Sequence, residues 1–244
     1  MTAAPTPSQP SPGAARLDAA TEALRRQVEE KRKTDPLIGA KIASREITQR
    51  LLHAMKDSRG VHAESLLTAL GALAGYATQA AAREFGRADG KPDTAVFAIV
   101  RGADGQRYFF GELGNQMLLE QPTSVWKLAS ATAAELGAGS LPDIAELIKH
   151  TAESVGSPQF GVPRIPDGHK PGDTPRNYLA MWPKLLPTLQ LFCASPIEWP
   201  IAYTLAVRDI MTQARPTLEP KLALTIVMEA AVPMAKVELA ANGA

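Results

Sequence analysis

Between Glu64 and Arg83 the chain carries no charged residue. Within this run Leu66, Leu67, Leu70, Leu73, Tyr76 and Ala77 recur at helical spacing, and Gly71, Ala74, Gly75 and Thr78 are spread over the same turns. A helix without a polar face has to be covered on most sides. The pattern therefore predicts a central buried helix over about 62–85. Glycine inside a helix is less favourable than alanine by roughly 1 kcal/mol. Two glycines four residues apart point to a second backbone packed closely against that helix. Glu64 near its start and Arg83 near its end complement the helix dipole.

The same run approaches membrane-spanning length, and Gly71-x-x-x-Gly75 matches the small-residue spacing of packed membrane helices. Ser65, Thr68, Thr78, Gln79 and the many alanines make it only weakly apolar, and no basic cluster or aromatic belt flanks it. A core helix is expected, with no transmembrane segment. The net charge of +1 comes with no basic stripe, which speaks against a nucleic-acid partner. Cys193 is the single cysteine, so no internal disulfide can form, and a reducing, cytoplasmic setting is expected. The first residues lack the basic start and apolar core of a secretory leader.

Residues 1–14 are Pro, Ser, Thr and Ala without periodicity and are expected to form a disordered tail. Residues 15–244 are expected to form a single, mostly helical domain. Arg16 to Lys33 has a thin apolar stripe (Leu17, Leu24, Val28) on an otherwise charged helix. A second helix follows from about Ile38 to Met55 and should pack antiparallel to the central helix, because the connection is short. The period then changes. Thr94 to Val100 is β-rich and apolar on both faces, Ala103-Asp104-Gly105 suits a hairpin turn, and Gln106 to Phe110 is the return strand. Such a hairpin, about 94–110, has to pack on the helices or pair with a second copy.

Beyond the hairpin, short helices are expected over Leu113–Glu120, Pro122–Leu136 and, capped by Ser140, Leu141–Val155. Residues 156–175 show no period, and a loop of that length in a compact domain is usually functional or disordered. Thr174-Pro175 and Ser195-Pro196 are helix-start signals. The first helix, through Phe192, should be kinked or divided at Pro183 and Pro187. Pro216 or Thr217 opens a last helix whose middle is as apolar as the central one, so the two should share a core. The fold class is mainly α (α+β).

Chemistry-bearing residues concentrate in the loop 160–178. Arg164, Lys170 and Arg176 offer cations for a carboxylate or phosphate, and His169 with Asp173 suggests an oriented acid–base pair, with Asn177 and Tyr178 adjacent. A second grouping sets Glu198 beside Trp199, with Trp182 and Tyr203, as a carboxylate in an apolar pocket. Glu146, His150 and Glu153 share a helical face as half of a metal site, but no second half is found, and neither a metal nor another cofactor is expected. His62 and Glu64, two apart, would point in different directions on a helix. Glu229 lies in an apolar run and either faces outward or pairs with Arg83, Lys221 or Lys236. No phosphate-loop, dinucleotide or nucleophile-elbow pattern is present.

The stretches SLLTALGALAGYATQ (65–79) and NYLAMWPKLLPTLQLFCASPIEWP (177–200) resemble a family of uncharacterised bacterial cytosolic proteins, a domain of unknown function. The resemblance implies a single bacterial cytosolic domain and carries no residue roles. Without a strong catalytic constellation, the expectation is a non-catalytic binding or interaction protein that self-associates as a dimer. The alternatives are an enzyme or sensor of a small anionic ligand bound at 160–178, and peripheral membrane association through the first helix.

Overall fold

The computed structural model describes residues 12–239, with side chains from Ala19 onward. The expected tail therefore falls largely outside the described residues, while its last part is helical, since α1 spans Pro12–Arg32. The protein is mainly α. Helix α2 spans Ile38–Ala54 and α3 Ala63–Ala88. After a one-turn helix, α4 (Asp93–Val96), come strands β1 (Ala98–Arg101) and β2 (Arg107–Phe110). Helical turn α5 (Glu112–Asn115) widens into a π-turn over Gln116–Glu120, and α6 (Val125–Glu135) and α7 (Ile144–Ser154) follow. One-turn helix α8 (Pro175–Tyr178) precedes α9 (Trp182–Phe192), α10 (Glu198–Ala214) and α11 (Pro220–Met234).

The uncharged run dictates the core. From Ser65 to Ala82 every residue of α3 is buried. Helix α11 lies along one side and α10 along another. A Cβ on Gly71 would clash with the Val227 carbonyl oxygen and one on Gly75 with that of Ala231, so these two glycines are what allow α11 to sit so close. The buried middle stretches of α3 and α11 thus cover each other.

Several local expectations change. Helix α2 packs on α10 and α9 rather than along α3. The seven-residue turn Met55–Val61 between α2 and α3, closed by an Asp57–Gly60 bridge with Gly60 at φ +113°, lets the helices splay and α10 contact both. Asp143, not Ser140, caps α7, accepting from the amides of Ala145 and Glu146. Helix α11 begins at Pro220 behind the Glu219 cap, later than Pro216 or Thr217. The helix started by Thr174-Pro175 lasts one turn and passes through a 3-10 turn at Leu179–Met181, so the division falls just before Pro183.

The hairpin pairs antiparallel, Ala98 opposite Phe110 and Arg101 opposite Arg107. The expected strand at 94–100 is half helical turn, held by Phe97 N–H donating to the Asp93 carbonyl at 2.8 Å. It is also not covered on both faces. Val100 is 45% exposed, and of this segment only Phe97 is fully buried, edge-on to Phe109. The other side of β2 is closed by the chain's own C-terminal segment, where Phe109 N–H donates to the Lys236 carbonyl and Tyr108 bridges Val237. Arg107 and Glu238 pair across this junction. No helix among the described residues is long and apolar enough to cross a membrane.

Candidate functional site

The loop 160–178 does not act as one unit. Arg164 is turned inward. Its Nε and Nη2 lie 3.1 and 2.9 Å from Glu229 Oε1, and Nη1 lies 2.7 Å from Glu146 Oε1. Glu229 is therefore neither outward-facing nor paired with Arg83, Lys221 or Lys236. It is 7% exposed and neutralised by Arg164. A guanidinium between two carboxylates has no charge to spare for an anion, so Arg164 belongs to the scaffold. This pairing also occupies Glu146 of the suggested metal half-site, while Glu153 faces Lys149. Among the described residues no three His, Cys, Asp or Glu side chains are grouped to hold a metal ion.

The Trp182–Glu198–Trp199 grouping is also structural. Trp182 stacks edge-on with Tyr76 and Trp199 in a buried aromatic cluster. Glu198 Oε1 accepts from Arg32 Nη1 at 2.7 Å, and Arg32 Nη2 donates to the Phe192 carbonyl at 3.0 Å. This pair fastens the end of α1 to the start of α10. Burial pushes the neighbouring Cys193 thiol up to about 12, so it is not a thiolate nucleophile.

The rest of the loop closes over the start of α3. His169 and Asp173 do not pair. Asp173 Oδ1 accepts from Thr174 N–H and Asn177 Nδ2, both at 2.7 Å, and Arg176 reaches Gln106. His169 Nδ1 instead donates to Glu64 Oε1 at 2.9 Å. The other carboxylate oxygen, Glu64 Oε2, lies 3.1 Å from His62 Nε2. His62 is the N-cap, with extended backbone (φ −74°, ψ 114°), so it is free of the helical spacing that would separate it from Glu64. Its Nδ1 meets Ser65 Oγ at 2.8 Å, and Ser65 Oγ accepts from Gly172 N–H at 2.8 Å. Burial works to raise the Glu64 carboxyl. The hydrogen bond from His169, its own amide and the nearby His62 outweigh that and hold it below the usual carboxylate value.

These residues border a cleft of about 730 Å³ between the Met55–Val61 turn and the 170–173 segment. Its wall includes Asp57, Arg59, His62, Ser65, Lys170 and Tyr178. Of the expected ligand residues, Lys170, Asp173 and Tyr178 reach this wall, and His169 supports it through Glu64. Arg164, Arg176, Asn177, Trp182, Glu198 and Trp199 do not line it. The turn 55–62 was missed as part of a site. Its signal was present in the polar run from Asp57 to Ser65, which leads into the uncharged helix. Comparisons with protein-family models, with curated proteins and with solved structures find no match for this chain.

Proposed function

We propose that the protein binds a small ligand carrying a carboxylate or phosphate in the cleft between the α2–α3 turn and the 170–173 segment, as a cytosolic binding protein or enzyme. One observation carries this reading. The acceptors of the cleft are already engaged by its own turns, whereas its cations are held only loosely. Asp57 Oδ1 accepts from Arg59 N–H at 2.7 Å, and Asp173 Oδ1 is taken by Thr174 N–H and Asn177 Nδ2. The Arg59 side chain is 91% exposed, with Nη2 3.6 Å from Asp57, and Lys170 pairs with the exposed Asp167. Surface pairs of this kind contribute about 0–1 kcal/mol, so a ligand anion exchanges for them readily.

A thermal-shift screen against phosphorylated and carboxylated metabolites tests the reading, because a ligand of the folded state raises the midpoint by mass action. Arg59→Ala and Lys170→Ala should abolish the shift while leaving the unliganded midpoint in place. Shifts that survive both substitutions would contradict this site.

Self-association loses two of its grounds, since α3 and α11 cover each other and the C-terminal segment closes β2. The outer edge of β1 keeps a second reading open. There Ala98 and Val100 are exposed, and among the described residues no strand pairs beyond β1. Sedimentation at micromolar concentration should give a dimer if β1 pairs with its copy, and a clean monomer would end that reading.

A further inference from the structure

Resting on the same cleft, we propose that Ser65 is an acyl-accepting nucleophile with His62 as its general base, and that the ligand is a small ester carrying an anionic group. The proton bookkeeping supports this direction of transfer. Glu64 Oε2 stands 3.1 Å from His62 Nε2, so a proton on Nε2 faces a carboxylate, whereas a lone pair there would face negative charge. Nε2 therefore carries the proton and Nδ1 is the acceptor. Ser65 Oγ, 2.8 Å away and already accepting from Gly172 N–H, has its own hydrogen directed to Nδ1. A hydroxyl donating to an imidazole whose far nitrogen faces a carboxylate is the arrangement that activates serine. Here the two ring nitrogens exchange their usual roles, which changes no proton count.

The surroundings fit the step. Ser65 lies in the first turn of a 26-residue helix, and its main-chain N–H precedes the first bond of that helix, Leu66 N–H to the His62 carbonyl. The Ser65 amide thus has no partner within the helix and is a donor for an oxyanion, while the Gly172 N–H, 2.8 Å from Oγ, holds the nucleophile itself in place. His62 is half exposed and opens on the cleft. In the reaction, Oγ forms a bond to the acyl carbon and its proton passes to Nδ1. The ester C–O bond then breaks and the alkoxide takes that proton. Water, deprotonated by the same nitrogen, releases the acid and restores Ser65. Glu64 is a positioning residue, itself oriented by His169.

The test is labelling of the full chain with a fluorophosphonate probe, followed by peptide mass analysis and 4-nitrophenyl acetate turnover. A single phosphonyl adduct on Ser65 is expected, absent in Ser65→Ala and slowed at least ~100-fold in His62→Gln. Glu64→Gln should lower kcat at least ~10-fold with KM unchanged, which a purely structural contact would not do. No adduct on Ser65 of the folded wild-type protein, or an adduct unaffected by His62→Gln, overturns the proposal. Inorganic phosphate titrated in parallel separates the two readings. Saturable phosphate binding without Ser65 labelling leaves the binding site standing and removes the nucleophile.

Discussion

The carbonyl oxygen of Ala231 occupies the space that a Cβ on Gly75 would need. The obstacle is backbone in the last turn of α11 and cannot rotate away. Gly75→Ala should therefore destabilise the fold. Alanine gains about 1 kcal/mol of helix propensity, but forcing apart two packed helices commonly exceeds that, at about 1–3 kcal/mol or more. Denaturant unfolding should show a net loss of roughly 1–2 kcal/mol. A more stable Gly75→Ala protein would contradict the close α3–α11 packing.

Arg164→Ala separates scaffold from site. Removing it strands Glu229 in the core, and breaking a buried pair typically loses about 3–5 kcal/mol. Because Arg164 is about one-third exposed, a loss near the lower end is expected. The equilibrium unfolding midpoint should fall markedly, whereas Arg59→Ala should leave it nearly unchanged. Equal midpoints for both variants would refute this division.

The contrast shows what the sequence could and could not convey. The uncharged run 65–82 announced a buried helix, and its two glycines announced a close backbone, because period and residue size act locally. The partner of Arg164 was not legible. Glu146 and Glu229 are 18 and 65 residues away, and only the packing of α7 and α11 brings them together. His62 and Glu64 illustrate a subtler limit. Helical spacing separates them, but His62 is the cap and obeys a different geometry. The strand at 94–100 misled for a similar reason. Its apolar residues suggested burial, but one side of β2 was already taken by residues 236–237, leaving β1 at the edge.

Glu64 makes stability sensitive to acid. Its folded-state value lies below the ordinary one, so its contribution is fully present above the unfolded carboxylate value of about 4.3. That contribution is lost as pH falls through the folded value. Glu64→Gln should be less stable than wild type at pH 7 and should show a shallower loss of stability between about pH 5 and pH 3. Parallel curves for the two proteins across that range would show that Glu64 gains nothing from its two imidazoles.

Lys236 gives a dependence of the same sign in the alkaline range. It is 7% exposed, donates to Asn115 Oδ1 at 2.6 Å and has no carboxylate partner among the described residues. Burial lowers it to about 8. Between about pH 8 and the ordinary lysine value of about 10.4, the unfolded chain binds more protons than the folded one, so stability rises with pH there. Lys236→Met should flatten that rise in denaturant unfolding measured at pH 7 and pH 9.5. An unchanged rise would place the titrating group elsewhere.

The cleft itself is tested most directly by titrating inorganic phosphate into isotopically labelled protein and following backbone amide shifts. Saturable changes confined to Asp57–Ser65 and Lys170–Asp173, lost in Lys170→Ala, are the result expected of a built anion site. Shifts scattered over the charged face of α1, or none at these amides up to millimolar phosphate, would contradict it.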